Sequence, residues 1–304
     1  MPSIIKNVAL AGASGTLGST ILNDLVQDGN FNVTVLVRKQ VQTLPASVSA
    51  KLVNTDSAES IIDALRGQDA FIDATFAPED PNLTTRLIDA AAAAGVYRIL
   101  PGEYTLDPQI AEARHPLVYH GKNQAYERAK KLAADGKTTY TTISNSAFLD
   151  WNLRTGFINI NLHDKKVQYM NDGTFPFPWT HVSSVSKAVV NALRKPEQTE
   201  NRSFYISNVV KSQRQMVDLV KEVVGTEGWE ETTLDMDQVL KKAIAELEAG
   251  KVNFQNFGDV VRWSISTVHS PRWEQQDDNR LLGVKEMTDD EIRRVVLDIY
   301  KEGK

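Results

Sequence analysis

The sequence predicts an α/β fold, a doubly wound parallel sheet with a smaller, mostly C-terminal lobe. Three observations carry this. The apolar run Val8-Ala9-Leu10 leads straight into Gly12, Gly15 and Gly18, and a stripe of helical period follows through Leu17, Ile21, Leu22, Leu25 and Val26. Strand and helix patterns then alternate through the first half, as parallel sheets with helical crossovers require. After about residue 150 the alternation loosens, and aromatics and prolines gather in Phe175-Pro176-Phe177-Pro178-Trp179.

Taken in order, the first helix stops at Gly29, and Val33, Val35, Leu36 and Val37 form a second strand running to Arg38 and Lys39. Leu52-Val53 reads as a third strand, ending near Asp56. Ile61, Ile62 and Leu65 suggest a helix stopped by Gly67. Ala70 to Ala74 is a fourth strand, and Leu83 to Ala94 an Ala-rich helix closed by Gly95. Tyr97 to Leu100 is a fifth strand, turned by Pro101-Gly102. Gln124 to Ala134 reads as a helix, and Tyr140 to Ile143 as a sixth strand. A helix from about Ser184 to Arg194 and a strand at Phe204-Tyr205-Ile206 are expected to return to the main sheet. Further helices are expected at 213–224, 235–249 and 289–300, with an irregular stretch around 251–283. The division expected is a cofactor-binding domain over 1–155, with returning segments near 180–210, and a partly interleaved substrate lobe over 156–304.

Composition narrows the function classes. The 304 residues are 41% hydrophobic and 24% charged, enough for a large core. The net charge of −5 and the lack of any basic run argue against nucleic acid or an anionic membrane as partner. With no cysteine, disulfides, thiolate metal sites and cysteine nucleophiles are excluded. The five histidines have no ligand spacing, so no metal is expected. Neither a targeting segment nor a membrane-spanning run is legible, which makes the cytoplasm the expected location and a small molecule the expected partner; oligomeric state is not readable.

The glycine spacing has a specific chemistry. Gly12 permits the tight turn out of the strand, Gly15 has no side chain to hold off a pyrophosphate, and Gly18 lets the helix approach the sheet. Ser14, Thr16 and Leu17 complete the turn, whose amides and helix N-terminus favour phosphate. In this fold the end of the second strand faces the adenosine ribose. An acidic residue there would accept from the 2′-hydroxyl of NAD. Arg38, with Lys39 beside it, suits the 2′-phosphate of NADP.

Several segments now occur in a familiar order: the glycine turn, the strand end at Arg38, Ala94-Gly95-Val96-Tyr97-Arg98-Ile99-Leu100-Pro101-Gly102-Glu103-Tyr104, Lys122, and Ser146-Ala147-Phe148-Leu149-Asp150-Trp151. Together they resemble the NmrA-like, isoflavone-reductase-like branch of the atypical short-chain dehydrogenases, well over residues 4–225 and loosely beyond. Gly102 stands where the family pattern has Ser, and Thr105 where it has Gly. The resemblance implies an NADPH-dependent reductase of a small, aromatic or secondary-metabolite substrate. It implies that Lys122 is the general acid/base or positions the cofactor, and that Thr75, Phe76 and Ala77, with Pro101, contact the nucleotide.

Other residues compete for the chemistry. Tyr126 and Lys130 form a YxxxK, the acid/base pair of ordinary short-chain dehydrogenases, on the helix face of Lys122. The spacing also arises by chance in a chain of this size, and the serine expected near the fifth strand is missing. Glu103 and Tyr104 lie at the cleft mouth, where a desolvated Glu103 would serve as acid or base. His120 neighbours Lys122. Phe148, Trp151, Phe177 and Trp179 are candidates for an aromatic substrate wall, or for a lobe core. Two other classes stay open on the same scaffold: a non-redox cyclase or condensation enzyme of the Pictet-Spengler type that retains NADP, and an NADP-sensing regulator.

Overall fold

The computed structural model describes residues 4–39, 44–275 and 278–303. Its strands are β1 (Asn7–Ala11), β2 (Asn32–Val37), β3 (Val48–Leu52), β4 (Ala70–Asp73), β5 (Arg98–Leu100), β6 (Thr139–Ser144), β7 (Ala147–Phe148), β8 (Ile160–Asn161), β9 (Lys166–Met170), β10 (Pro176–Thr180), β11 (Arg202–Tyr205), β12 (Val209–Ser212) and β13 (Glu230–Leu234). Seven of them form the main sheet in the order β11-β6-β5-β4-β1-β2-β3, with every pairing parallel. The order reverses between β1 and β4, the switch point beyond which open α/β sheets hold ligands.

Both faces of the sheet are covered. Val8 and Leu10 point into one core with Ile21, Leu22 and Leu25 of α1 (Thr16–Asp28), whereas Ala9 and Ala11 point into the other. That second core is built by α2 (Ala58–Leu65), α3 (Leu83–Ala93) and α4 (Pro116–Ala134), through Ile61, Leu65, Leu87, Ile88 and Leu132. The strand reads as a continuous apolar run because helices bury both of its faces. After α5 (Leu149–Thr155), α6 (Val182–Arg194) returns to pack beside α1, and past the short α7 (Pro196–Thr199) β11 joins the sheet edge. The fully buried Arg98 ties this return together, donating to Thr139 and Thr141 of β6, to Thr199 and to the Pro196 carbonyl.

Beside the main sheet stand two three-stranded sheets, β12-β10-β7 and β13-β9-β8. The remaining helices are α8 (Gln213–Val224), α9 (Met236–Glu248), α10 (Phe254–Thr267), the short α11 (Arg272–Gln275) and α12 (Asp278–Leu282), and α13 (Asp289–Glu302); Leu282 of α12 lies in the main-sheet core beside α6. Among the described residues no helix is long and apolar enough to cross a membrane.

Four elements differ from the sequence reading. The third strand lies at Val48–Leu52, leaving Val53 beyond it. The fourth helix begins at Pro116, eight residues before the predicted Gln124, so Lys122 is inside a helix. Proline sits in its first turn, where no N–H is needed, and the His115 imidazole caps the Leu117 amide. The stretch read as irregular contains the 14-residue α10, capped by Asn253. Finally, the Pro-rich run 176–180 is a strand. Its partner β7 meets only Trp179 and Thr180, so on that side neither proline owes a hydrogen bond.

Candidate functional site

The turn after β1 is built for close approach. Gly12 has φ of 82°, and a side chain there would run into the Ala74 carbonyl just after β4. One at Gly18 would run into the Gly12 carbonyl, so α1 lies as near the strand as backbone allows. Gly15 is the N-cap and offers no side chain to the first amides of α1. Ser14, Gly15 and Thr16 are exposed and Leu17 half-buried. The helix therefore presents unbonded N–H groups and partial positive charge to whatever occupies the switch point. At the end of β2, Arg38 and Lys39 are exposed and have no ion-pair partner among the described residues.

Beside this turn the ends of β4 and β5 converge on α4. Lys122, a half-buried residue with its ammonium enclosed, donates to the Gly102 carbonyl in the turn after β5. Burial pushes this ammonium below the usual lysine pKa and the Arg114 cation adds to the shift; Glu103 and Asp73 oppose it without cancelling it. Asp73 is wholly buried at the end of β4. Its Oδ1 accepts from the Thr75 amide at 2.9 Å and hydroxyl at 2.6 Å, while Oδ2 has no partner among the described residues. A Cβ on Gly102 would stand 3.5 Å from that oxygen, at ordinary contact distance, so the turn after β5 lies directly against Asp73. The buried Tyr104 hydroxyl likewise has no partner, and burial followed by the Asp73 charge raises its pKa.

Other predicted site residues are placed differently. Glu103 is not a free acid/base group: it is 1% exposed and holds the equally buried Arg114 by two bonds of 2.6 and 3.0 Å. Arg114 also donates to Asn123, tying the turn after β5 to α4. Tyr126 faces the sheet edge instead of the rim, with its hydroxyl 3.3 Å from Ser203 of β11 and its ring edge-on to Tyr140. Lys130 pairs with Glu127. His120 is exposed on α4. Trp179 is core, fully buried, stacked on Phe177 and donating to the Lys211 carbonyl. Trp151 packs on Phe157, and Phe148 packs against the main-sheet core. Only Phe177 of those four aromatics lines a pocket among those described. Thr75 and Ala77 are half-buried, Phe76 is 72% exposed and Pro101 is buried.

The sequence reading missed Asp73, whose signal was an acid closing an apolar parallel strand. It also missed Asp107, which is 1% exposed and bonded by Gln109, Tyr205, Ser270 and Arg272. No group of three metal-ligating side chains occurs among the described residues.

A doubly wound sheet with a side-chain-free glycine turn at its switch point defines a Rossmann-type dinucleotide-binding fold. Residues 5–276 match the NmrA-like family, and the chain belongs to it. It is 30% identical over 249 residues to the oxidoreductase aprR of Aspergillus flavus, covering 81% of this chain and 82% of that one. Over 298 residues it is 26% identical to the oxidoreductase poxI of Penicillium oxalicum, covering 95% and 93%. The fold is also that of the leucoanthocyanidin reductase–NADPH complex from Vitis vinifera, with a TM-score of 0.75 at 14% identity over 96% of this chain and 99% of that one.

Proposed function

We propose that this chain is an NADPH-dependent reductase of a small, aromatic or secondary-metabolite substrate, with Lys122 as the group that holds and delivers the balancing proton. The observation that carries the reading is the enclosed Lys122 ammonium on the Gly102 carbonyl, on the same rim as the glycine turn.

The residues fit NADP(H). Gly15 leaves no side chain to obstruct a pyrophosphate, Gly12 and Gly18 let the turn and α1 pack against backbone, and the uncapped amides of α1 supply donors. Arg38 and Lys39, exposed and without acidic partners among the described residues, suit a 2′-phosphate. Thr75, Phe76, Ala77 and Pro101 line the approach from β4 and β5. When bound, the cofactor supplies a hydride to an electrophilic carbon. The relatives named oxidoreductases, and the NADPH complex of a reductase with the same fold, support this choice.

The protein's own part is orientation and proton supply. Burial lowers the Lys122 pKa towards the range where an ammonium can surrender a proton, and the Gly102 carbonyl fixes where it points. Among the described residues, Asp73 Oδ2 and the Tyr104 hydroxyl are buried neighbours without hydrogen-bond partners. A non-redox reading has less to work with, since Glu103 is committed to Arg114 and Tyr126 to Ser203.

The test is NADPH deuterated at the transferable nicotinamide position, incubated with the protein and a panel of aromatic, polyketide and alkaloid precursors. Deuterium in a product, with NADPH consumed, is the expected result. A new product without label and with NADPH unconsumed overturns the reading in favour of non-redox catalysis.

A further inference from the structure

A second feature of the same rim is a narrow pocket beyond the ends of β5 and β6. Leu106, Ile110, Phe175, Phe177, Val268 and Trp273 form its apolar walls. It encloses about 50 Å³, room for a few water-sized groups, so one edge of a ligand fits and the rest must lie outside.

Most polar groups in this pocket are already engaged. Asp107 accepts from the Gln109 amide and the Tyr205 hydroxyl on one oxygen, and from Ser270 and Arg272 on the other. His269 lies 3.8 Å from Glu274. Ser146 differs. It lies two residues past the β6 end, immediately before β7, is 8% exposed, and lines the pocket. Its amide donates to the Thr105 carbonyl and its carbonyl accepts from the Asn145 side chain, but its hydroxyl has no partner among the described residues. Its φ is 51°, in the left-handed region where glycine is the low-cost choice. A strained backbone that keeps an unpartnered hydroxyl on a residue at the wall of a largely apolar pocket is a feature that a ligand would explain.

We propose that Ser146 is a substrate-binding residue whose hydroxyl holds a single carbonyl or phenol oxygen on an aromatic edge inserted into this pocket. A hydroxyl both donates and accepts, so it suits either oxygen. This rests on the reductase reading, and names the feature by which the enzyme selects its substrate.

The test compares Ser146→Ala with Ser146→Gly. Both remove the hydroxyl, but only glycine relieves the left-handed backbone. For an oxygen-bearing substrate found by the label experiment, both variants are expected to lose about tenfold or more in kcat/KM, to a similar degree, with NADPH affinity unchanged. Glycine is expected to raise Tm and alanine not to. Wild-type kcat/KM in both variants overturns the proposal. So does activity that falls with alanine and recovers with glycine, which would mark the residue as structural.

If wild type transfers no label to any substrate, the reductase reading fails separately. Ligand-detected NMR with phenol and toluene then still decides on Ser146. Wild type is expected to prefer phenol about tenfold, and both variants to lose that preference. An unchanged preference, or none in wild type, overturns the assignment.

Discussion

Lys122 of α4 reaches back to the Gly102 carbonyl, twenty residues earlier and in the turn that leaves β5. The contact joins three elements, because Gly102 also lies against Asp73 at the end of β4. Lys122→Ala is expected to lower kcat by about a hundredfold or more, the scale of a lost proton-transfer group. Binding of NADPH, followed by its fluorescence, should change little. Full activity in Lys122→Ala would remove the residue from the mechanism.

The buried ammonium also predicts a pH dependence of stability. Its folded pKa lies below the ordinary lysine value of 10.5. Between the two values the unfolded chain holds a proton that the folded chain has released, so this residue's contribution improves as pH rises through that window. Below the folded pKa the cost of burying the charge is constant. Denaturant melts of wild type and Lys122→Met at stepped alkaline pH would show wild type gaining on the variant. A flat or falling difference would contradict the burial argument.

Cofactor choice should respond to Arg38. Arg38→Ser removes the guanidinium offered to a 2′-phosphate and is expected to weaken NADPH binding by about tenfold or more, leaving NADH nearly unaffected. Titration of both nucleotides against both proteins measures the ratio. An unchanged ratio would place the phosphate elsewhere.

Glu103 and Arg114 make a structural prediction. Glu103→Ala strands a buried guanidinium and should cost about 3–5 kcal/mol. The double variant Glu103→Met/Arg114→Met should recover much of that in a chemical denaturation series. Loss of activity in Glu103→Ala without any loss of stability would return Glu103 to the catalytic candidates.

The first βα unit is legible in the sequence because its chemistry is local. Glycines 12, 15 and 18 state the turn, the close approach and the helix start within seven residues. The start of α4 was hidden by residues that look like breakers. Pro116 is tolerated at the first turn, and Gly121 sits inside the helix where a side chain would strike the Pro81 carbonyl. For the same reason α10 was hidden, since its Gly258 fits under Phe157 and Arg262. Lys122 was found through resemblance, but its partner was not. Asp73 and Gly102, or Asp107 and Arg272, meet only once the sheet has formed, and no short-range pattern encodes separations of that length. For the aromatic run at 175–179 the sequence left substrate wall and lobe core both open; alternation along β10 puts Phe177 and Trp179 on one face, stacked in the core, and Phe177 also borders the pocket.

The most direct measurement is a single-turnover reaction with deuterated NADPH, run side by side on wild type and Lys122→Ala with a substrate that wild type reduces. The account predicts rapid label transfer in wild type and transfer slowed about a hundredfold or more in the variant, with equal cofactor bound at the start. Label transfer at the same rate in both proteins would contradict it.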